Sequence, residues 1–280
     1  MPTAFLPDRA LLNISGSDAE SFLQALITTD LDALPDGEAR PGALLTPQGK
    51  ILFDFLVWRD GDAIALETAR GQVDALVRRL SMYKLRAAVE IAASETDGVT
   101  VSWDGEAPSG WIVDHRFAKA GVMLVRSAGQ HGGGDERDYD ALRIENGIAV
   151  AGIDYPLQDA FPHDALLDLN GGLSFKKGCY VGQEVVSRMQ HRGTARRRVA
   201  TVTGDRDLPP AGTDILAGAK TVGTLGSVAG NKGLAIVRVD RVGEAMANGT
   251  PLTAGDVAVA AALPEWSGLS FPATGEEAQP

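Results

Sequence analysis

The chain has very little cysteine: Cys179 is the only one in 280 residues. One thiol excludes an internal disulfide and a four-cysteine iron–sulfur ligand set, and it fits a reducing compartment. Histidine is nearly as scarce. His115, His131, His163 and His191 are scattered, without the paired spacing of a zinc site, so no metal centre is expected. No apolar run approaches the roughly 18–20 residues that span a bilayer, so no membrane partner is expected. The opening segment Met1 to Leu6 lacks a basic stretch leading into an apolar one, and Asp8 and Arg9 follow it, which reads as cytoplasmic rather than exported. Basic charge is also short. Twenty-six Lys and Arg face 37 Asp and Glu, a net charge of −11, which argues against broad nucleic-acid binding.

What is present is an ordinary globular composition, 44% hydrophobic and 22% charged, long enough for two or three cores. Arg9 to Ser15 reads as a first strand. Ser17 and Glu20 have capping-box spacing, and Ala19, Phe22, Leu23, Leu26 and Ile27 continue as an amphipathic helix ending near Thr28. Turns at Pro35-Asp36-Gly37, Pro47-Gln48-Gly49 and Arg59-Asp60-Gly61-Asp62 separate apolar strands. Val73, Leu76, Val77 and Leu80 mark a second helix, Leu85 to Ile91 alternates as a strand, and Asp135 to Glu145 reads as a helix. From Arg196 the pattern becomes short strands separated by Gly, Pro, Asp and Asn, the signature of a small β-barrel.

The chain is organised around Lys176-Lys177-Gly178-Cys179-Tyr180-Val181-Gly182-Gln183-Glu184. Lysines before a thiol and a helix start after it are expected to favour a reactive thiolate, and the glycines permit close approach. The alternative is a small buried cysteine beside a turn. Such a thiolate has three uses that the sequence does not separate: ligating iron or a cluster, forming a mixed disulfide, or attacking an electrophile. Arg188, Arg192, Arg196, Arg197 and Arg198 follow, either as a solvated strand start or as a grip on an anionic ligand tail.

Lys177-Gly178-Cys179-Tyr180-x-Gly182-Gln183-Glu184 resembles the signature of the YgfZ-type folate-binding proteins, relatives of the glycine-cleavage T-protein (aminomethyltransferase) that act in iron–sulfur protein maturation. Thr28 to Leu31, Thr46 to Ile51, Tyr83-Lys84-Leu85-Arg86 and Leu142-Arg143-Ile144-Glu145-x-Gly147 resemble further family segments. The resemblance implies an α+β, three-domain T-protein-like ring around a folate pocket, with a C-terminal β-barrel. The expected bounds are a discontinuous folate-binding domain at 1–41 and 113–195, a second α+β lobe at 42–112, the barrel at 196–264 and a disordered tail at 265–280. It also implies a tetrahydrofolate or folate-derivative cofactor, and iron–sulfur client proteins or assembly machinery as partners. Glu145 becomes the best ligand contact, because a carboxylate accepts paired hydrogen bonds from the ring N–H and amine of a pterin. Arg143, Arg86, Lys177 and Tyr180 are further folate-binding candidates, and Cys179 is the reactive thiol.

One departure from the T-protein is visible. Its Asp-Asp pair after the first glycine turn aligns with Phe53-Asp54 here. A missing carboxylate favours a non-classical accessory factor, supporting cluster assembly or repair in clients, over an aminomethyltransferase. The alternatives are a folate-dependent one-carbon (aminomethyl or methyl) transferase or demethylase and, more remotely, an RNA-associated module using Arg192 to Arg198.

Overall fold

A computed structural model describes residues 1–272, so the part of the expected tail at 273–280 lies outside the described residues. The chain divides into two compact units, 1–139 with 167–183, and 140–166 with 184–280.

The first unit carries β1 (Thr3–Leu6), β2 (Arg9–Ser15), α1 (Ala19–Gln24), β3 (Glu38–Leu45), β4 (Ile51–Asp60), β5 (Ala63–Ala69), α2 (Val73–Lys84), β6 (Glu90–Ala93), β7 (Val99–Trp103), β8 (Ile112–Asp114), α3 (His115–Lys119) and β9 (Leu124–Ala128). Its nine strands run β1-β7-β9-β8-β3-β4-β5-β2-β6. All pairs are antiparallel except β3 with β8, where Glu38 lies opposite Val113. The main core packs α1 and α2 on β2, β4 and β5. Leu76 and Leu80 of α2 and Leu23 of α1 are fully buried there. Val73, Leu76 and Leu80 fall on one helical face, as their spacing dictates.

The sheet folds back on itself. Four steps separate β9 from β5, which at about 4.8 Å per step would place them about 19 Å apart if the sheet were flat. Arg126 of β9 nevertheless donates to both carboxylate oxygens of Glu67 on β5, at 2.7 Å each. Between the folded layers lies a buried ionic cluster. Arg126 also reaches Asp114, Arg116 closes on Asp114 at 2.7 Å, and Arg9 on Glu67 at 2.8 Å. Burial raises the pKa of both carboxyls, but the guanidiniums outweigh it. Arg126 and Arg9 hold Glu67 below the usual carboxylate range, and Arg116 and Arg126 do the same for Asp114.

The helix α4 (Glu136–Glu145) crosses from the first unit into the second, and the boundary recurs at the start of α5 (Gln183–Arg192). The second unit continues with β10 (Arg197–Gly204), β11 (Asp214–Ala217), β12 (Lys220–Ala229), β13 (Lys232–Arg238), α6 (Val239–Ala247), β14 (Leu252–Ala254) and β15 (Val257–Ala262). The six strands close as a barrel in the order β10-β13-β12-β11-β14-β15, with Thr201 of β10 opposite Ala262 of β15. The barrel expected from Arg196 onward is present. A short 3₁₀ turn at Glu265–Ser267 follows, Trp266 Nε1 donates to the Asn146 carbonyl at 2.8 Å, and Phe271 packs against the barrel core.

Three local expectations differ from the structure, the first being that α1 ends at Gln24 rather than near Thr28. Ser17 does not cap α1. The helix starts after Asp18, whose Oδ2 accepts from the Ala88 N–H at 2.8 Å, while Glu20 pairs with Arg59 instead of turning back. The expected strand from Leu85 is delayed to Glu90, because Leu85 takes a left-handed φ of 44° and the chain turns through Ala87 to Val89.

Candidate functional site

The site of greatest chemical interest grows out of the exit from α1. Thr28 Oγ1 donates to the Gly172 carbonyl at 2.6 Å and accepts from the Ala43 N–H at 2.9 Å. The Ser174 N–H donates to the Thr28 carbonyl, and Thr29 Oγ1 to the Pro41 carbonyl. Gln24 ties the next turn, accepting from the Leu31 N–H and donating to Asp30. The polar run after α1 is therefore a joint that holds β3 and the 172–180 loop together.

Lys177 locks this joint. Its Nζ donates to the carbonyls of Ile27 at 2.9 Å and Thr29 at 2.8 Å. It also lies 5.5 Å from the centre of the buried Tyr180 ring. Burial pulls the Lys177 pKa down to about 8, against the opposing pull of Asp30 and Asp32. Burial likewise raises the Tyr180 hydroxyl, which donates to the Ser174 carbonyl at 3.3 Å.

The two glycines of the motif do different work. Gly182 has φ +80°, and a Cβ there would sit 2.5 Å from the Thr46 carbonyl oxygen. Its bare backbone lets the loop press on the Thr46-Pro47-Gln48-Gly49 turn, so two sequence motifs meet in one contact. A Cβ at Gly178 would meet nothing within 4 Å.

Between the pinned ends, Cys179 is exposed. It lines a cleft of about 560 Å³ with Ser17, Glu20, Gln24 and Asp32 among its walls. The thiol's surroundings differ from those expected. Lys177 turns inward, away from solvent, while the helix begins at Gln183, as its sequence suggests. The charged residues on the cleft walls are carboxylates, Glu20 and Asp32.

The remaining sequence candidates are distributed between the units. Arg86 is exposed on the first. Arg143 and Glu145 belong to the second. Arg143 is buried, with Nε on Asp140, Nη1 on Asp154 and Nη2 on Ser227. Glu145 is the opposite case: its side chain is 60% exposed and shares one oxygen with Lys232 Nζ at 2.7 Å. An exposed ion pair of this kind is worth about 0–1 kcal/mol, so the carboxylate can change partners. By donor chemistry, Glu145 and Arg86 offer accessible groups for a folate, whereas Arg143, Lys177 and Tyr180 are committed to internal bonds. Phe53 is buried in the core.

Sequence reading missed the Arg9–Glu67–Arg126–Asp114–Arg116 cluster. Its signal was present: Glu67 and Arg126 interrupt strands whose other residues are apolar or small. Among the described residues there is no group of three or more His, Cys, Asp or Glu side chains able to hold a metal ion, and no helix long and apolar enough to cross a membrane.

The fold resembles that of the glycine cleavage system aminomethyltransferase T from Bartonella henselae, with a TM-score of 0.73 over 92% of this chain and 84% of that one, at 17% identity. Residues 196–269 match the family model of the CAF17 C-terminal β-barrel domain. Among relatives in sequence, the mitochondrial iron-sulfur cluster assembly factor IBA57 of Mus musculus is 29% identical, over 93% of this chain and 84% of its own length. The Homo sapiens protein of the same name is 28% identical with the same coverage. The IBA57 homolog of Chaetomium globosum is 31% identical over 70% of this chain, and the match spans only 54% of that relative's length. The chain is thus similar to an aminomethyltransferase T in fold, to the CAF17 C-terminal β-barrel domain over residues 196–269, and to IBA57 proteins along most of its length.

Proposed function

We propose that this protein is a cytoplasmic, tetrahydrofolate-binding factor that supports assembly or repair of iron–sulfur clusters in client proteins, with the assembly machinery as its partner. The observation that carries the reading is the likeness to relatives named iron-sulfur cluster assembly factors over 93% of the chain. The 176–182 loop supports it. That loop is built to hold one exposed thiol on a fixed frame, which suits an accessory factor that meets a cluster or a client.

In this reading Glu145 contacts the pterin, and its exposed carboxylate exchanges Lys232 for the ring N–H and amine. Arg143 acts as a positioning residue, holding α4 so that Glu145 is presented. Lys177 and Tyr180 position the Cys179 loop. When bound, a reduced folate supplies one-carbon or redox capacity; this chain supplies its binding and an exposed thiol.

The test is an anaerobic titration of the purified protein with tetrahydrofolate, followed by an assay of aminomethyl and methyl transfer. Saturable binding without turnover is expected, and Glu145→Ala should weaken binding about tenfold or more, the effect of losing a charge-assisted contact. Unchanged affinity in folded Glu145→Ala removes Glu145 as the pterin contact. Turnover moves the protein to the transferase class, and absence of binding removes folate altogether.

A further inference from the structure

The second unit contains a cavity that none of the folate candidates lines. It has a volume of about 530 Å³, within the usual range for small-molecule sites. Its apolar lining includes Tyr155 and Pro156 together with Leu225 and Ile236 of the barrel. Three arginines, Arg197, Arg238 and Arg241, also line it.

Their charges are not equally compensated. Arg197 sits between Asp159 at 2.8 Å and Asp164 at 2.7 Å. Arg238 closes on Asp240 through two bonds of 2.9 and 2.6 Å. Asp154, also on the wall, is held by Arg143. Arg241 is different. Its Nη1 donates to the Thr221 carbonyl at 2.7 Å, and among the described residues its guanidinium has no carboxylate partner. That bond fixes one corner of the guanidinium and leaves its Nε–Nη2 edge for a forked pair.

We propose that this cavity binds a small organic monocarboxylate, with its apolar body between Tyr155, Leu225 and Ile236 and its carboxylate on Arg241. The match is chemical. A guanidinium without a carboxylate partner selects a single anion, and the apolar walls favour a ring or branched chain over a polar body. The two compensated arginines leave no comparable demand for a second anionic group.

The experiment is calorimetric titration of the full chain with 2-naphthoate and with its neutral counterpart, 2-naphthamide. The carboxylate should bind at least about tenfold more tightly, as a charge-assisted forked pair requires. Arg241→Gln should abolish that preference and Arg241→Lys should retain part of it. Thr224 lines the cavity and is exposed, so Thr224→Trp should block both probes without unfolding the barrel. Saturating tetrahydrofolate should leave naphthoate binding unchanged. The proposal is overturned by equal affinity for the two probes, by no binding at millimolar concentration, by a preference that survives Arg241→Gln in a variant of unchanged melting temperature, or by displacement with tetrahydrofolate.

Discussion

The Lys177 ammonium lies 2.8 Å from the carbonyl oxygen of Thr29, a residue 148 positions earlier in the chain. A lysine beside a lone cysteine invites the reading that it activates the thiol. The geometry instead has it close the joint between the exit of α1 and the loop that carries Cys179. Lys177→Met keeps the stem but leaves the Ile27 and Thr29 carbonyls without their donor. It should destabilise the protein by about 1–3 kcal/mol in urea unfolding. A variant as stable as the parent would show that water replaces the ammonium without penalty.

The same residue gives a pH dependence of definite sign. Burial lowers the folded-state pKa to about 8, below the 10.5 of an exposed lysine. Between these values the unfolded chain binds more protons than the folded one, so this group's contribution favours folding increasingly as pH rises from about 8 to about 10.5. Below pH 8 the penalty of the buried charge is fully present. The difference in unfolding free energy between parent and Lys177→Met should therefore grow across that window, since other titrating groups cancel. A flat difference would contradict the lowered pKa.

Arg126 should be far more sensitive. It is almost wholly buried and serves Glu67 and Asp114 together. Arg126→Leu leaves Glu67 with Arg9 alone and Asp114 with Arg116 alone between the sheet layers, at a cost of about 3–5 kcal/mol near pH 7. Both carboxyls are held below their ordinary values in the parent. Their stabilising contribution is present above the unfolded-state pKa values, near 4, and is lost as pH falls through the folded-state values. The gap between parent and variant should thus be widest above about pH 5 and narrow on acidification.

Gly178 and Gly182 give a paired comparison within one motif. Gly182→Ala forces a side chain into a left-handed φ and against the Thr46 carbonyl, so a loss of at least about 1–2 kcal/mol is expected. Gly178→Ala meets open space and should be close to neutral in stability. Equal melting temperatures for the two variants would refute the assignment of Gly182 to packing.

Much of this fold was legible because its signals are local. The helical spacing of Val73, Leu76 and Leu80 fixes α2, and the regular Gly- and Asp-marked turns after Arg196 announce the barrel. Illegible parts depend on distant partners. Asp18 is drawn to Ala88, Lys177 to Thr29, and Arg126 to Glu67 across a folded sheet. No spacing rule along the chain encodes such pairs. The Lys177–Glu184 stretch draws attention to the Cys179 loop, but from the sequence alone both lysines look like companions of the thiol, and only the fold shows Lys177 facing the other way.

That inward turn sharpens what to expect of Cys179 itself. The thiol is exposed, lines a cleft and carries none of the bonds that hold its loop. Cys179→Ser changes one soft atom for a hard one and keeps the size, so its melting temperature should lie within about 2 °C of the parent, as for surface substitutions worth under about 0.5 kcal/mol. Tetrahydrofolate affinity should also be unchanged. If the sulfur meets iron, a client disulfide or an electrophile, activity of iron–sulfur enzymes in cells relying on the Ser variant should fall severalfold. Lys177→Met separates position from chemistry: it leaves the thiol in place but loosens its frame, so its defect should be smaller than that of Cys179→Ser at equal protein level. The alkylation rate of Cys179, measured against a free thiol, reports its accessibility directly. Slow alkylation together with full complementation by Cys179→Ser would return the residue to a purely structural role and leave the surrounding joint, not the sulfur, as what the 176–184 stretch supplies.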